Sequence, residues 1–310
     1  MGARKRVICI GHAALDRIYR IDAFPAEPTK VRALEAIEAG GGMAANAAVA
    51  AARLGGDVEL WSRIGEDSAG FTIRAGLKVE RVDIRYVEAF EDARTSTSAI
   101  IVDGRGERLI VGMRDTAIPS NTSWLPLERI AQAAVVLGDL RWLEATRVAF
   151  ERARKEGVAT VLDADLGARE ALPEILKLAD YAIFSAPALR ELSRAPTDEA
   201  KLAEVLALGP RHAGVTLGGD GYLWREVNGA EGRQPGFVID VVDTTGAGDA
   251  FHGAFALMLA EGKSTAECAR MACAVAALKC RHLGSRTGLP RRPEVEQFLA
   301  EASRSVSAGS

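Results

Sequence analysis

Residues Val241–Phe251 read V-V-D-T-T-G-A-G-D-A-F, and an apolar segment, Ala250–Glu261 (A-F-H-G-A-F-A-L-M-L-A-E), continues from them. The pattern predicts an apolar strand ending at Asp243, a glycine turn, and then a helix. Gly246, Ala247 and Gly248 therefore fall at a helix N-terminus. There the unpaired backbone N–H groups and the helix dipole attract an anion, and missing side chains let it come close. Asp249 falls in the first helical turn, beside that site. A carboxylate next to a phosphate is repelled unless it has a task, and taking a proton from an attacking hydroxyl is such a task. A bare G-x-G-D also has a plainer reading, an ordinary junction in which Asp249 caps the helix.

Working outward, short apolar runs alternate with helical segments. Arg6–Gly11 reads as a buried strand ended by glycine, and Gly41–Leu54 as a glycine turn leading into an Ala-rich helix. Val58–Ile64, Ala134–Leu140, Ala159–Asp163, Tyr181–Ser185 and Ala213–Leu217 read as further strands. Phe71–Val79 and Glu144–Glu156 read as helices. Such βαβ alternation predicts an α/β fold whose mostly parallel sheet is covered on both faces. Two stretches break the rhythm. Arg17–Ala23 with Val31–Ala39, and Ser96–Val102 with Glu107–Met113, alternate like half-exposed antiparallel strands. Asp103-Gly104-Arg105-Gly106 suits the hairpin turn of the second pair. Together they predict a small sheet standing off the main one as a lid. Its uncovered face would suit a homodimer.

Composition agrees with this outline. The 310 residues carry 39 Lys+Arg against 42 Asp+Glu, a net charge of −3, with 48% hydrophobic and 5% aromatic residues and 31 glycines. That balance excludes a disordered chain and a general nucleic-acid binder, which needs a basic excess. Cys9, Cys268, Cys273 and Cys280 form no C-x-x-C pair, so neither a zinc site nor a dithiol centre is indicated, and reduced buried thiols are expected. The apolar run near the N-terminus stops after about five residues, against the roughly 7–15 of a secretory signal. No window approaches a membrane span. A cytoplasmic protein is expected.

The string Asp243–Phe251 resembles the second signature of the ribokinase-like (PfkB) carbohydrate kinases, and the resemblance extends over nearly the whole chain. Gly41-Gly42 with Asn46 and the following A-V-A-A-A-R-L-G are similar to the family's first signature. Ile64-Gly65-Glu66-Asp67 with Gly70, Thr216-Leu217-Gly218 with Gly221, and the Gly284–Pro290 loop resemble further family blocks. The resemblance implies a doubly wound α/β kinase domain over residues 1–310, with lid strands near 14–39 and 95–115, ATP as donor, Mg²⁺, and dimers formed through the lid. It implies that Asp249 is the catalytic base and that Gly246, Ala247 and Gly248 form the anion hole. It implies that Asp16, Gly41, Gly42 and Asn46 hold the sugar, and that Thr216, Gly218, Gly221 and Gly284 serve the nucleotide. Asp243 and Thr245 fall where relatives bind a monovalent cation such as K⁺.

Two departures stand out. The family's Asn-x-x-Glu motif should fall near Ser185-Ala186-Pro187-Ala188, where neither residue is present; Asp163 or Asp165, at the end of the preceding strand, is the candidate to hold the metal through waters instead. At Leu140-Arg141-Trp142, Arg141 stands where ribokinases are acidic. A guanidinium at the carboxyl edge of an open sheet suits a carboxylate, phosphate or sulfonate, though a surface ion pair with Glu144 is the plainer reading. Within the family, Leu15–Tyr19, Asp139–Trp142, Leu162–Asp165 and Ala276–Cys280 most resemble sulfofructose kinases, which phosphorylate 6-deoxy-6-sulfofructose. Arg141 and Lys30, the latter reaching across a dimer, match their sulfonate contacts. Gly112 replaces a third contact, and Arg114 lies nearby. The expectation is a kinase for a ketose or related sugar with an anionic tail. A neutral ketohexose, sugar acid or nucleoside kinase, or a non-catalytic sugar sensor, is the alternative.

Other classes fit poorly. A dinucleotide enzyme needs G-x-G-x-x-G after its first strand, but the chain runs Gly11-His12-Ala13-Ala14-Leu15-Asp16. Gly262-Lys263-Ser264 imitates the end of a P-loop, but Leu257 occupies the first glycine position. His12, His212, His252 and His282 are too scattered for a metal motif and read as surface or capping groups.

Overall fold

The computed structural model describes residues 6–167 and 169–308. Arg4, Lys5 and the ends of the 1–310 span lie outside them. Strand β1 (Arg6–Gly11) shows why the chain builds a covered sheet. Its side chains alternate, Val7 and Cys9 entering one hydrophobic core and Ile8 and Ile10 the other. A strand buried on both faces has no need of a polar side, which explains the unbroken apolar run.

Among the described residues, thirteen strands run in the order β1, β2 (Ala14–Arg20), β3 (Glu35–Gly41), β4 (Asp57–Gly65), β5 (Asp83–Phe90), β6 (Thr97–Val102), β7 (Arg108–Met113), β8 (Ala133–Asp139), β9 (Ala159–Ala164), β10 (Tyr181–Ser185), β11 (His212–Thr216), β12 (Tyr222–Glu226) and β13 (Glu231–Gln234). Nine form one sheet in the order β13-β12-β11-β10-β9-β8-β1-β4-β5. It is parallel from β11 through β5, and β12 and β13 add an antiparallel edge. Helices α1 (Met43–Arg53), α2 (Ser68–Val79), α3 (Leu143–Glu156), α4 (Leu172–Leu176), α5 (Ala186–Leu192), α6 (Asp198–Ala207), α7 (Ala247–Ala260), α8 (Thr265–Lys279) and α9 (Arg292–Ala308) cover it. One core takes residues from α1, α2, α7 and α8 and the other from α3 to α6. This is the doubly wound arrangement. The strand order turns back between β8 and β1, the place where open α/β sheets bind ligands.

The other four strands form the lid, in the order β3-β2-β6-β7. Ile18, Ile100 and Val102 pack on Leu283 and fasten it to the main body. The β6–β7 hairpin is as expected, with Asp103 Oδ1 accepting the N–H groups of Arg105 and Glu107. The first pair differs: β2 starts three residues before Arg17 and β3 four after Val31. Pro25 and Pro28, which lack a backbone donor, keep the intervening segment out of the sheet. Lys30 lies there, exposed.

No strand precedes Asp243. Residues 235–242 run without strand pairing, and Val238 is fully exposed while Val241 and Val242 are largely so. Their β-branched composition imitates a strand, but none of them pairs into one. The four cysteines are free and buried. Among the described residues no helix is long and apolar enough to cross a membrane.

Candidate active site

Gly246 starts the site. It is the N-cap of α7 at φ 76°, a left-handed conformation that a side chain disfavours, and a Cβ there would meet Ser285 Cβ at 2.9 Å. Opposite Gly248 there is open space. The turn, whose Ala247 N–H donates to Thr244 O at 3.2 Å, stands between two cavities. One, of about 330 Å³, lies between lid and sheet and includes Asp16, Gly42, Asn46, Arg141, Gly246 and Asp249 in its wall. The other, of about 370 Å³, is mostly apolar and includes Thr216, Gly218, Gly221, Phe237, Gly248 and Ala277.

Asp249 does not cap its helix. Its Oδ2 instead accepts a 2.7 Å hydrogen bond from Asn46 Nδ2 on α1. Burial, reinforced by the negative charge of Asp163, pushes its carboxyl up to about 7. Such a group can take up a proton near neutral pH, as a general base must. Asn46 is held in turn by Arg286, whose Nε donates to Asn46 Oδ1 at 2.8 Å while Nη2 donates to Gly41 O at 2.9 Å. Arg286 is buried, which brings its guanidinium down to about 10 and still leaves it charged at neutral pH. Ser285 Oγ donates to Gly40 O at 3.0 Å and lies 3.4 Å from Asp16 Oδ2. Burial also raises the Asp16 carboxyl. Gly41 is needed because a Cβ there would strike the Asp16 carboxylate at 2.1 Å.

The far end of the sugar-side cavity is positive. Asp139, buried at the end of β8, accepts the N–H groups of His12 (2.7 Å), Ala44 (3.2 Å) and Arg141 (2.8 Å), fixing where those segments leave the sheet. The Arg141 side chain lines the cavity with Arg114. Among the described residues neither guanidinium has a carboxylate within 4.0 Å, so Arg141 makes no ion pair with Glu144. Burial, then the charges of Arg114, Arg141 and Arg63, pull His12 down to about 3, so its imidazole is neutral. Asp139 attracts the Arg114 and Arg141 guanidiniums and Asp163 attracts Arg141 from beyond ion-pair distance, and Asp165 shares the cavity wall. With no direct ion pair to satisfy them, the two guanidiniums suit an anion arriving with a ligand.

Asp163 and Asp165 sit in a cavity shared with Ser185, Gly248, Asp249 and His252. Burial and the charge of Asp165 raise the Asp163 carboxyl well above its usual range. Two close carboxylates of this kind fit a hard cation bound together with phosphate oxygens. Ser185, where the family's asparagine is expected, donates to Asp165 Oδ1 at 2.8 Å and caps α5.

Several expectations change. Gly284 lies outside the nucleotide-side cavity: its N–H donates to Asp243 Oδ2 at 2.8 Å, and a Cβ would meet Ile37 of the lid at 2.8 Å. The 284–290 loop instead sends Ser285 and Arg286 to the sugar side. Lys30 does not reach the site within this chain. Gly262-Lys263-Ser264 is a helix link in which Ser264 and Glu267 form a capping box. His212 and His252 are buried rather than superficial, and His252 Nδ1 donates to Gly248 O at 2.7 Å, directly under the glycine turn. Arg286 and Phe237 were not singled out by the sequence, since neither belongs to a repeating pattern.

Residues 4–292 match the pfkB family of carbohydrate kinases. A ribokinase of Bacillus subtilis is 32% identical over 298 residues, spanning 95% of this chain and 100% of its own. An ATP-dependent ribose-1-phosphate kinase of Halopiger xanaduensis is 31% identical over 301 residues, with 96% and 98% covered. Among solved structures, a provisionally assigned ribokinase of Agrobacterium tumefaciens superposes with a TM-score of 0.93 at 34% identity, covering 97% of this chain and 99% of that one. Arabidopsis thaliana ribokinase, solved with ribose and ATP, gives 0.84 at 28% identity, covering 96% and 99%.

Proposed function

The chain belongs to the pfkB family of carbohydrate kinases, and from that membership we propose that it phosphorylates a ketose or related sugar carrying an anionic tail, of the 6-deoxy-6-sulfofructose kind. The enzyme is an ATP-dependent carbohydrate kinase, a phosphotransferase with an alcohol acceptor. What carries the reading is Asp249, held by Asn46 at the glycine-lined helix start between a polar and an apolar cavity.

Sugar occupies the lid-side cavity, its hydroxyls held by Asp16, Gly41, Gly42 and Asn46. Thr216, Gly218 and Gly221 flank the nucleotide, and Phe237 walls its apolar side. With Oδ2 engaged by Asn46, Oδ1 of Asp249 is available to take the hydroxyl proton. The sugar oxygen forms its bond to the γ-phosphorus as the bond to the β-bridging oxygen breaks, releasing ADP. N–H groups of Gly246–Gly248 offset charge on the moving phosphoryl. Magnesium, when bound beside Asp163 and Asp165, supplies charge neutralisation on the phosphates.

Arg141 and Arg114, two guanidiniums lining one cavity with no direct ion pair among the described residues, support the anionic tail. A relative named for ribose-1-phosphate, itself an anionic sugar, is compatible with it. Ribose is the second reading, because other relatives are named for it. The two sheets work as one kinase unit over residues 1–310, and the chain pairs through its lid. Leu109, Val111 and Met113, alternate residues of β7, are 41–59% exposed, an apolar strip that a second lid would cover. Lys30 of one protomer then faces the sugar site of its partner.

The test is an ATP-consumption screen over sulfofructose, sugar phosphates, sugar acids, neutral ketoses and ribose. Preference for an anionic sugar supports the reading. Preference for ribose moves the assignment to the second, and sugar binding without turnover would mark a sensor.

A further inference from the structure

Lys279 ends α8 with its side chain fully buried, at 0% exposure. A buried ammonium is costly unless it is well partnered. Its Nζ donates to the main-chain oxygen of Asp243 at 2.7 Å and stands 3.9 Å from Asp243 Oδ2. The carbonyl end of α8 adds negative potential around it.

Protein groups also take the other oxygens of Asp243. Oδ1 accepts from Thr245 N (2.8 Å) and Thr245 Oγ1 (2.7 Å), and Oδ2 accepts from Gly284 N (2.8 Å). The N–H groups of Val242 and Asp243 both donate to Cys280 O, at 2.8 and 3.1 Å. The turn that presents Gly246–Gly248 is thus tied to the end of α8, and the positive charge within that tie, facing the Asp243 carboxylate, is the lysine's. A free potassium ion at Asp243 and Thr245 would compete with the ammonium for the same carbonyl and carboxylate. These residues therefore do not fit the monovalent cation that the family resemblance implies.

We infer that Lys279 is the resident cation of this turn, a positioning residue that braces the Gly246–Gly248 anion site and replaces a dissociable monovalent ion. The inference rests on the kinase reading only in naming Gly246–Gly248 as the anion site.

Two measurements test it, one of which needs no substrate. Thermal unfolding of the full chain is followed at constant ionic strength as choline chloride is exchanged for potassium, sodium or ammonium chloride. Wild type should shift by no more than about 1 °C, because a ligand that does not bind the native state cannot stabilise it. Lys279→Ala should melt lower and be raised by potassium or ammonium. In turnover, wild type should change by less than about two-fold across the salts, whereas Lys279→Ala should lose kcat far more than KM and recover with added cation. Lys279→Gln keeps a hydrogen-bond donor without the charge and should behave like the alanine variant. A potassium-specific rise in the wild-type melting temperature, or a Lys279→Gln enzyme equal to wild type, overturns the inference even if Lys279→Ala does not fold. Failure to find the sugar would count against the kinase reading and leave the melting result standing.

Discussion

Asn46 and Asp249, 203 positions apart in sequence, meet through a 2.7 Å hydrogen bond from Asn46 Nδ2 to Asp249 Oδ2. The bond joins the first helix after the lid's β3 to the helix that begins at the glycine turn. It fixes which carboxylate oxygen is left to face a sugar hydroxyl.

Asp249 should give the pH profile its acid limb. With its carboxyl pushed up to about 7 by burial and by Asp163, kcat/KM should rise as pH climbs through that value and level off above it. The same shift has a stability consequence. Between the ordinary aspartate pKa and about 7, the unfolded chain gives up a proton that the folded chain retains, so folding is progressively penalised as pH rises through that window. Asp249→Asn should therefore melt above wild type at pH 8, with the gap closing toward pH 4. A gap that does not vary with pH would contradict the assignment.

Arg286 should act through Asn46 rather than on substrate. Arg286→Ala leaves Asn46 Oδ1 and Gly41 O without a donor in a buried place, at a cost of about 1–3 kcal/mol each. Turnover should fall more than sugar affinity, because the base loses its orientation, and Arg286→Lys should restore little, lacking the planar fork. A variant that loses sugar affinity alone would make Arg286 a substrate contact.

How much of this was legible beforehand depends on the kind of signal. Gly246–Asp249 could be read because a helix N-terminus, small residues and one acid lie in consecutive positions. The buried strands could be read because Val7–Ile10 is apolar on both faces. Arg286 could not, since its role comes from a loop folding back 240 residues onto α1. The strand expected before Asp243 misled, because valine-rich sequence states a preference, and residues 235–242 make no strand pairing. Gly284 was assigned to the nucleotide through its loop, yet its backbone serves Asp243 and its missing side chain makes room for the lid.

Arg141 and Arg114 should decide which sugars are taken. Replacing either by alanine should raise KM for an anionic sugar by roughly ten- to a hundred-fold, the scale of a lost charge-assisted hydrogen bond, while changing neutral ribose little. Equal effects on both sugars would make the arginines structural.

The lid strip predicts an assembly. Sedimentation should show a dimer, and Val111→Lys, placing a charge on the exposed face of β7, should shift it toward monomer. A wild-type chain that stays monomeric at micromolar concentration would remove this pairing, and with it any role for Lys30.

The most direct test of the central claim is sugar-dependent release of ADP from MgATP by wild type and Asp249→Asn, measured across the sugar panel with binding followed in parallel. Turnover with at least one sugar is expected, falling by about 10²–10⁴-fold in Asp249→Asn while that sugar still binds within a few-fold, the scale set by loss of a general base. Turnover that survives the substitution, or sugar binding with no ADP release in either protein, would contradict it.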